Sequence, residues 1–212
     1  MKKWITLLLA MTMVLGLTAC SGTAASENSS AQTPSAPEET SAEAQTTAPS
    51  AAADSSTLIA YFSWSGNTAQ MAQMIADETG GTLFEIQPAT PYTEDYDTLL
   101  DVAQQEQAEN ARPALAAQVE SWDSYDVVFV GYPDWWGDAP MLIYSFLEAY
   151  DWQGKTLIPF CTSGGSGFGR SLDQLADSAP GAEILEGLHI NGDSVADAAD
   201  EVASWIAGLP LA

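Results

Sequence analysis

Residues 57–81, TLIAYFSWSGNTAQMAQMIADETGG, run from a short apolar segment through a loop of hydroxyls and one glycine into an amphipathic stretch. TLIAYF (57–62) has the branched and aromatic content of a strand. Met71, Ala72, Ile75, Ala76 and Thr79 recur at helical spacing, and Gly80 with Gly81 supplies a stop. The unit is therefore strand, loop, helix, and its strand signal returns four times. TLFEI (82–86), DVVFVGY (126–132), TLIPFCT (156–162) and EILEGLHI (183–190) bring the strands to five. Between them, Met141, Tyr144, Ser145 and Leu147 follow a proline, and Leu172, Leu175 and Ala176 follow a glycine-rich loop. Val195, Ala198, Val202, Trp205 and Ile206 mark a last helix, while the piece from Thr93 to Gln118 reads as partly helical, interrupted by Pro113. Strands that are continuously apolar are buried on both sides, and their alternation with helices predicts an α/β fold. Its form is a doubly wound five-stranded parallel sheet with helices on both faces. Ligands in that architecture sit beyond the carboxyl ends of the strands, near the switch in strand order.

The opening MKKWITLLLAMTMVLGLTAC has two lysines, an apolar run from Trp4 to Leu17 and small residues before Cys20, the pattern of an export signal. The run is shorter than the roughly 18 residues of a membrane-spanning helix. LTAC resembles the bacterial lipobox, so residues 1–20 are read as a lipoprotein signal peptide with Cys20 as the acylated residue; ordinary secretion is the alternative. Residues 21–56 contain no aromatic, Leu, Ile or Val and are expected to be a disordered Ala/Ser/Thr/Pro tether. Residues 57–212 remain as one domain. Three of the five basic residues (Arg112, Lys155, Arg170) and 24 of the 29 acids fall in it, a net charge of −21. So acidic a surface repels phosphate backbones and anionic headgroups, which argues against nucleic-acid binding and against electrostatic membrane docking.

Three loops fall at the carboxyl end of the expected sheet. In the first, Ser63, Ser65 and Thr68 bring hydroxyls, and Gly66 lets the backbone come close, at a helix N-terminus whose unpaired N–H groups favour an anion. The loop lacks the Lys of a triphosphate-binding loop, so a single phosphate fits it better; simple helix capping by Ser65 or Asn67 is the other reading. The second, GYPDWWGDAP (131–140), carries paired tryptophans that suit either a planar heteroaromatic ring or local packing. The third, CTSGGSGFG (161–169), allows backbone N–H groups to approach such a ring's edge. Cys161 reads as a small core residue, and His189 sits near a strand end before the turn NGD. Arg112 pairs with local carboxylates or lies beside the ring. No group of His, Cys and carboxylates has metal-ligand spacing.

With YFS.SGNT, GYP.WWG.AP and PFCT.GGSG.G.S in this order, residues 57–212 resemble the flavodoxins. The resemblance implies a flavodoxin-like sheet and non-covalent FMN. It assigns the phosphate to Ser63, Ser65, Gly66, Asn67 and Thr68, with Trp64 in the same loop. Tyr132, Pro133, Asp134, Trp135, Trp136 and Gly137 are assigned to the isoalloxazine, and Thr162, Ser163, Gly164, Gly165 and Gly167 to its other edge. Relatives often have His where this chain has Ser163. The resemblance also suggests that the peptide at Gly137 turns its carbonyl toward the flavin N5. Asp134 and Asp138, bracketing the tryptophans, are expected to act as exposed charges that disfavour an anionic reduced ring.

Two function classes follow. One is a membrane-tethered electron carrier that serves a redox partner protein or a small acceptor such as a quinone, expected to be a monomer. The other is an FMN-dependent NAD(P)H:quinone-type oxidoreductase. A flavin-free anion-binding or interaction module is a third reading.

Overall fold

The structure, a computed structural model, describes residues 56–211. The expected signal peptide, Cys20 and the tether apart from Ser56 lie outside the described residues. The strands are β1 (Thr57–Tyr61), β2 (Thr82–Glu85), β3 (Val127–Pro133), β4 (Thr156–Ser163), β5 (Glu183–Ile184) and β6 (Leu188–Asn191). The helices are α1 (Asn67–Thr79), α2 (Tyr96–Glu109), α3 (Met141–Glu148), α4 (Ser171–Ser178) and α5 (Ala199–Gly208). All strand pairs are parallel, in the order β2-β1-β3-β4-β5, with β6 also beside β4. This is the flavodoxin-like arrangement. The order reverses between β1 and β3, and there the crossovers diverge to opposite faces and leave a crevice at the carboxyl ends.

Alternate residues of the central strands feed two separate cores. Leu58, Ala60, Val128, Val130 and Leu157 pack with α3 and Leu175 of α4 on one face. Ile59, Phe129, Ile158 and Phe160 pack with Met71 and Ile75 of α1 and Val202 of α5 on the other. These strands are apolar throughout because each side chain in turn meets one core or the other. Edge strand β2 departs from the expectation: most of it is exposed, Leu83 at 37%.

The fifth strand, expected as one run over 183–190, is split. The Leu157 carbonyl accepts from Leu185 N, so Pro159, two residues on, faces the same edge with no N–H to offer. A Cβ at Gly187 would lie 2.6 Å from the Pro159 carbonyl oxygen, so only glycine passes there. Trp205 Nε1 donates to the Glu186 carbonyl at 3.1 Å in the gap. The last helix is also divided, a 3₁₀ turn at Gly192–Asp197 preceding α5. Helix α2 starts at Asp95, whose Oδ1 accepts from Thr98 N at 2.9 Å, and ends at Asn110 with φ +48°, before Pro113. No helix among the described residues is long and apolar enough to cross a membrane.

Candidate functional site

A cavity of about 500 Å³ opens at the carboxyl edge, within the usual range for small-molecule sites. Trp64, Ser65 and Asn67 line it from the first loop, Pro133, Asp134, Trp135 and Trp136 from the second, and Thr162, Ser163 and Gly164 from the third. Other expected residues support this wall from behind. Gly66 has φ +94° and gives its N–H to Ser63 Oγ at 3.1 Å, which bends the chain into α1. The first helical bond is Gln70 N to the Gly66 carbonyl, so the amides ahead of it lack intrahelical acceptors. Thr68 Oγ1 is buried and bonded to Thr162 Oγ1 at 2.9 Å, joining the first loop to β4. Tyr132 does not reach the cavity: it is fully buried, and its hydroxyl lies 2.8 Å from Ser171 Oγ. Burial pushes that phenol far above its usual range.

The two tryptophans divide their work. Trp135 stands edge-on to Phe62 (5.4 Å, 89°) and Tyr92 (5.2 Å, 79°), a packing role. Trp136 is 50% exposed on the cavity rim, at φ +57°, and its Nε1 donates to the Leu100 carbonyl at 3.1 Å. A large side chain kept half in water on a left-handed backbone costs stability, so its place on the rim is not explained by packing on protein.

The acidic residues of this loop correct the sequence-based expectation. Asp138 is 1% exposed, not a solvated charge. Its Oδ1 accepts from Ala139 N and the Tyr144 hydroxyl, and its Oδ2 from Arg170 Nε at 2.7 Å and Gln174 Nε2 at 2.8 Å. Paired in this way, it ties the loop to α3 and α4, and its charge still acts on Asp134. Of the two acids of this loop, Asp134 lines the cavity. Burial raises its carboxyl above the usual range, opposed by the Gly137 N–H, Ser166 and His189; Oδ2 is buried without a partner. The Gly137 carbonyl accepts from Arg170 N at 2.9 Å, which leaves it one lone pair. Gly169 at φ +54° packs so closely on that carbonyl that no Cβ fits.

The cavity has no cation. Arg112 grips Glu148, Nη2 to Oε1 at 2.8 Å, and holds that carboxyl below its usual range. Lys155 is buried, its Nζ donating to the Trp122 and Tyr125 carbonyls. Arg170 belongs to Asp138. Cys161 is a core residue whose thiol burial holds protonated.

A flavodoxin family model matches residues 56–209. The chain belongs to the flavodoxin family. Among solved structures, this flavodoxin-family chain is similar to a candidate flavoprotein of Bacteroides uniformis ATCC 8492. The two share 38% identity over 72% of this chain and 98% of that one, with a TM-score of 0.65. A second, from Bacteroides eggerthii DSM 20697, gives 37% identity over 69% and 97%, with a TM-score of 0.59. A flavoprotein of Lactobacillus acidophilus NCFM, solved in complex with FMN, gives 25% over 68% and 97%, with a TM-score of 0.55. No curated protein matches the chain.

Two parts of the cavity wall escaped the sequence reading. Tyr96, Leu99, Leu100 and Ala103 come from α2, and Asn191, Gly192 and Asp193 from the end of β6. The NGD turn was the available signal for the second group: it follows a strand and so falls at the carboxyl edge. Nothing in the 93–118 pattern marks α2 as a wall of the site.

Proposed function

We propose that the chain binds FMN non-covalently and works as an electron carrier. The observation that carries this is the cavity itself, with unpaired α1 amides and the Ser65 hydroxyl at one end, the half-exposed Trp136 at another, and no cation anywhere. Amides and hydroxyls satisfy one phosphate monoester, as the free helix N-terminus favours negative charge. Trp136 offers a flat face to a planar ring, and the glycine loop offers backbone groups to its edge. When bound, FMN supplies reversible one- and two-electron chemistry. The protein's part is to hold the ring between Trp136 and the Ser163–Gly164 loop, exclude water from its inner edge, and set the local charge through Asp134.

The absence of any free Lys or Arg at the cavity favours the carrier over an NAD(P)H-dependent oxidoreductase. A dinucleotide brings two further phosphates, and all three described basic residues are engaged elsewhere. The partner is then a redox protein or a small acceptor such as a quinone. We further propose that Cys20 carries the lipid and that the 21–56 segment holds the domain off the outer face of the cytoplasmic membrane. One acyl chain anchors only marginally, so the full set of a lipoprotein is required.

Reconstitution of apo protein with FMN, followed by anaerobic reductive titration, tests the main reading. A yellow complex that accumulates a one-electron-reduced species supports the carrier. Direct two-electron reduction, with turnover of NAD(P)H and a quinone, supports the enzyme, and no uptake of FMN refutes both. Mass spectrometry of the mature N-terminus decides the anchor: an unmodified Cys20 or an uncleaved signal removes it.

A further inference from the structure

The third loop holds a side-chain network that the FMN reading does not use. Ser163 Oγ accepts from Gly165 N at 3.0 Å and from Gly167 N at 3.2 Å, and it lies 2.7 Å from His189 Nε2. A hydroxyl has two acceptor lone pairs and one proton. The two glycine amides fill both lone pairs, so the hydroxyl proton goes to His189 Nε2. That nitrogen must then be an acceptor, and the imidazole is the neutral tautomer with its proton on Nδ1.

We propose that His189 is a positioning residue for the cofactor site: as a hydrogen-bond acceptor it fixes the Ser163 hydroxyl, and through it the glycine loop along the cavity. This rests on the reading of the cavity as a flavin site. His189 lies on β6, in register with Cys161 of β4, and reaches Ser163 two residues further along that strand. An imidazolium at this position has an N–H on both nitrogens. Its Nε2–H points at a hydroxyl whose lone pairs are taken, so either the His189 contact or one glycine bond is lost. Protonation of one ring nitrogen therefore costs the loop either its anchor on β6 or one of the two bonds that shape it.

Asp134 meets His189 from the end of β3, and its burial raises its own carboxyl above the usual range. The Cys161 thiol, its ladder partner, stays protonated and contributes no charge. Glu186 and Asp193 are the acids nearest to His189 in the chain, three residues before and four after, and Asp193 lies on the cavity wall.

The test uses apo protein with FMN and with riboflavin, whose lack of a phosphate removes that group's own titration from the result. Imidazole nitrogen NMR at pH 8 is expected to show the proton of His189 on Nδ1. Acidification to pH 5 is expected to weaken riboflavin binding about tenfold, the equivalent of one lost hydrogen bond. The Gly165 and Gly167 amide resonances should move with the same midpoint as the imidazole. His189→Gln keeps an acceptor that does not titrate, so its affinity should change with pH less than the parent's, by what Asp134 on the cavity wall contributes. Ser163→Ala removes the hub and should bind more weakly, with the same reduced pH dependence as His189→Gln. A proton on Nε2 at pH 8, or the same pH slope in His189→Gln as in the parent, overturns the proposal. If neither flavin binds at pH 8, the flavin reading falls, and the positioning role with it. The tautomer and amide shifts of the apo protein then still show whether the network exists, so the two failures are told apart.

Discussion

Replacing Trp136 with Ala separates ligand stacking from protein packing, because its neighbour Trp135 provides a matched control. A tryptophan presents up to about 250 Å² of surface, so half exposure leaves about 125 Å² of Trp136 facing water. A planar ring laid on one face covers about half of that, roughly 60 Å², or about 1.5 kcal/mol at 25 cal/mol/Å². The favourable geometry of an aromatic pair contributes about 1 kcal/mol more. Little ordering cost offsets this, since Nε1 is already bonded to the Leu100 carbonyl. Trp136→Ala should therefore weaken FMN binding by between about tenfold and a hundredfold while leaving the urea midpoint of the apo protein within about 0.5 kcal/mol. Trp135→Ala should do the reverse, costing about 3 kcal/mol of stability because it empties the space between Phe62 and Tyr92. Fluorescence titration with FMN and urea unfolding of both apo variants measure the two effects. Unchanged FMN affinity in Trp136→Ala, or a stability loss in it as large as in Trp135→Ala, refutes the stacking assignment.

Asp138→Ala should destabilise the apo protein by at least about 3 kcal/mol in urea unfolding, because the Tyr144 hydroxyl, the Ala139 N–H and Gln174 lose their acceptor together. Asp134 has a raised carboxyl pKa, so the folded chain keeps a proton that the unfolded chain has released. Stability falls as pH rises from the ordinary aspartate range through the folded value, and Asp134→Asn should flatten that part of the urea-midpoint profile against pH. Comparing the two proteins cancels the opposite contributions of Glu106 and Glu148. In the FMN-loaded protein, Asp134→Asn should raise the more negative flavin potential at low salt, and Asp138→Asn should move it much less because Arg170 already compensates that charge. Spectroelectrochemistry of both variants reads this, and equal shifts would show that the pairing with Arg170 does not shield Asp138.

The sheet was legible because its strands are buried on both faces: LIA, VVFV and LIPFC leave no polar position to confuse the pattern. The turn into α1 was legible for a related reason, since a glycine and hydroxyls directly after a strand have few uses other than a tight turn into a helix. What escaped depended on contacts distant in the chain. That Asp138 is buried follows from Arg170 and Gln174, 32 and 36 residues away, and no local signal distinguishes it from the cavity-lining Asp134. The bond from Arg170 N to the Gly137 carbonyl spans a similar distance in the chain and was equally illegible. His189 looked idle because its partner, Ser163, is 26 residues distant and becomes its neighbour only through the β4–β6 pairing. The division of the fifth strand could have been read from Pro159, provided that the side of β4 it faces were known.

That division has a consequence for how the molecule meets others of its kind. An open sheet invites an incoming strand along any edge that offers a long, regular row of free amides and carbonyls. Here the outer row beyond β4 is broken into two residues and four, with the Trp205 indole occupying a carbonyl at the break. The opposite border, β2, is only four residues long and ends in Glu85. Neither side offers a template long enough to extend. Pro159 and Gly187 are the residues that break the row at this border.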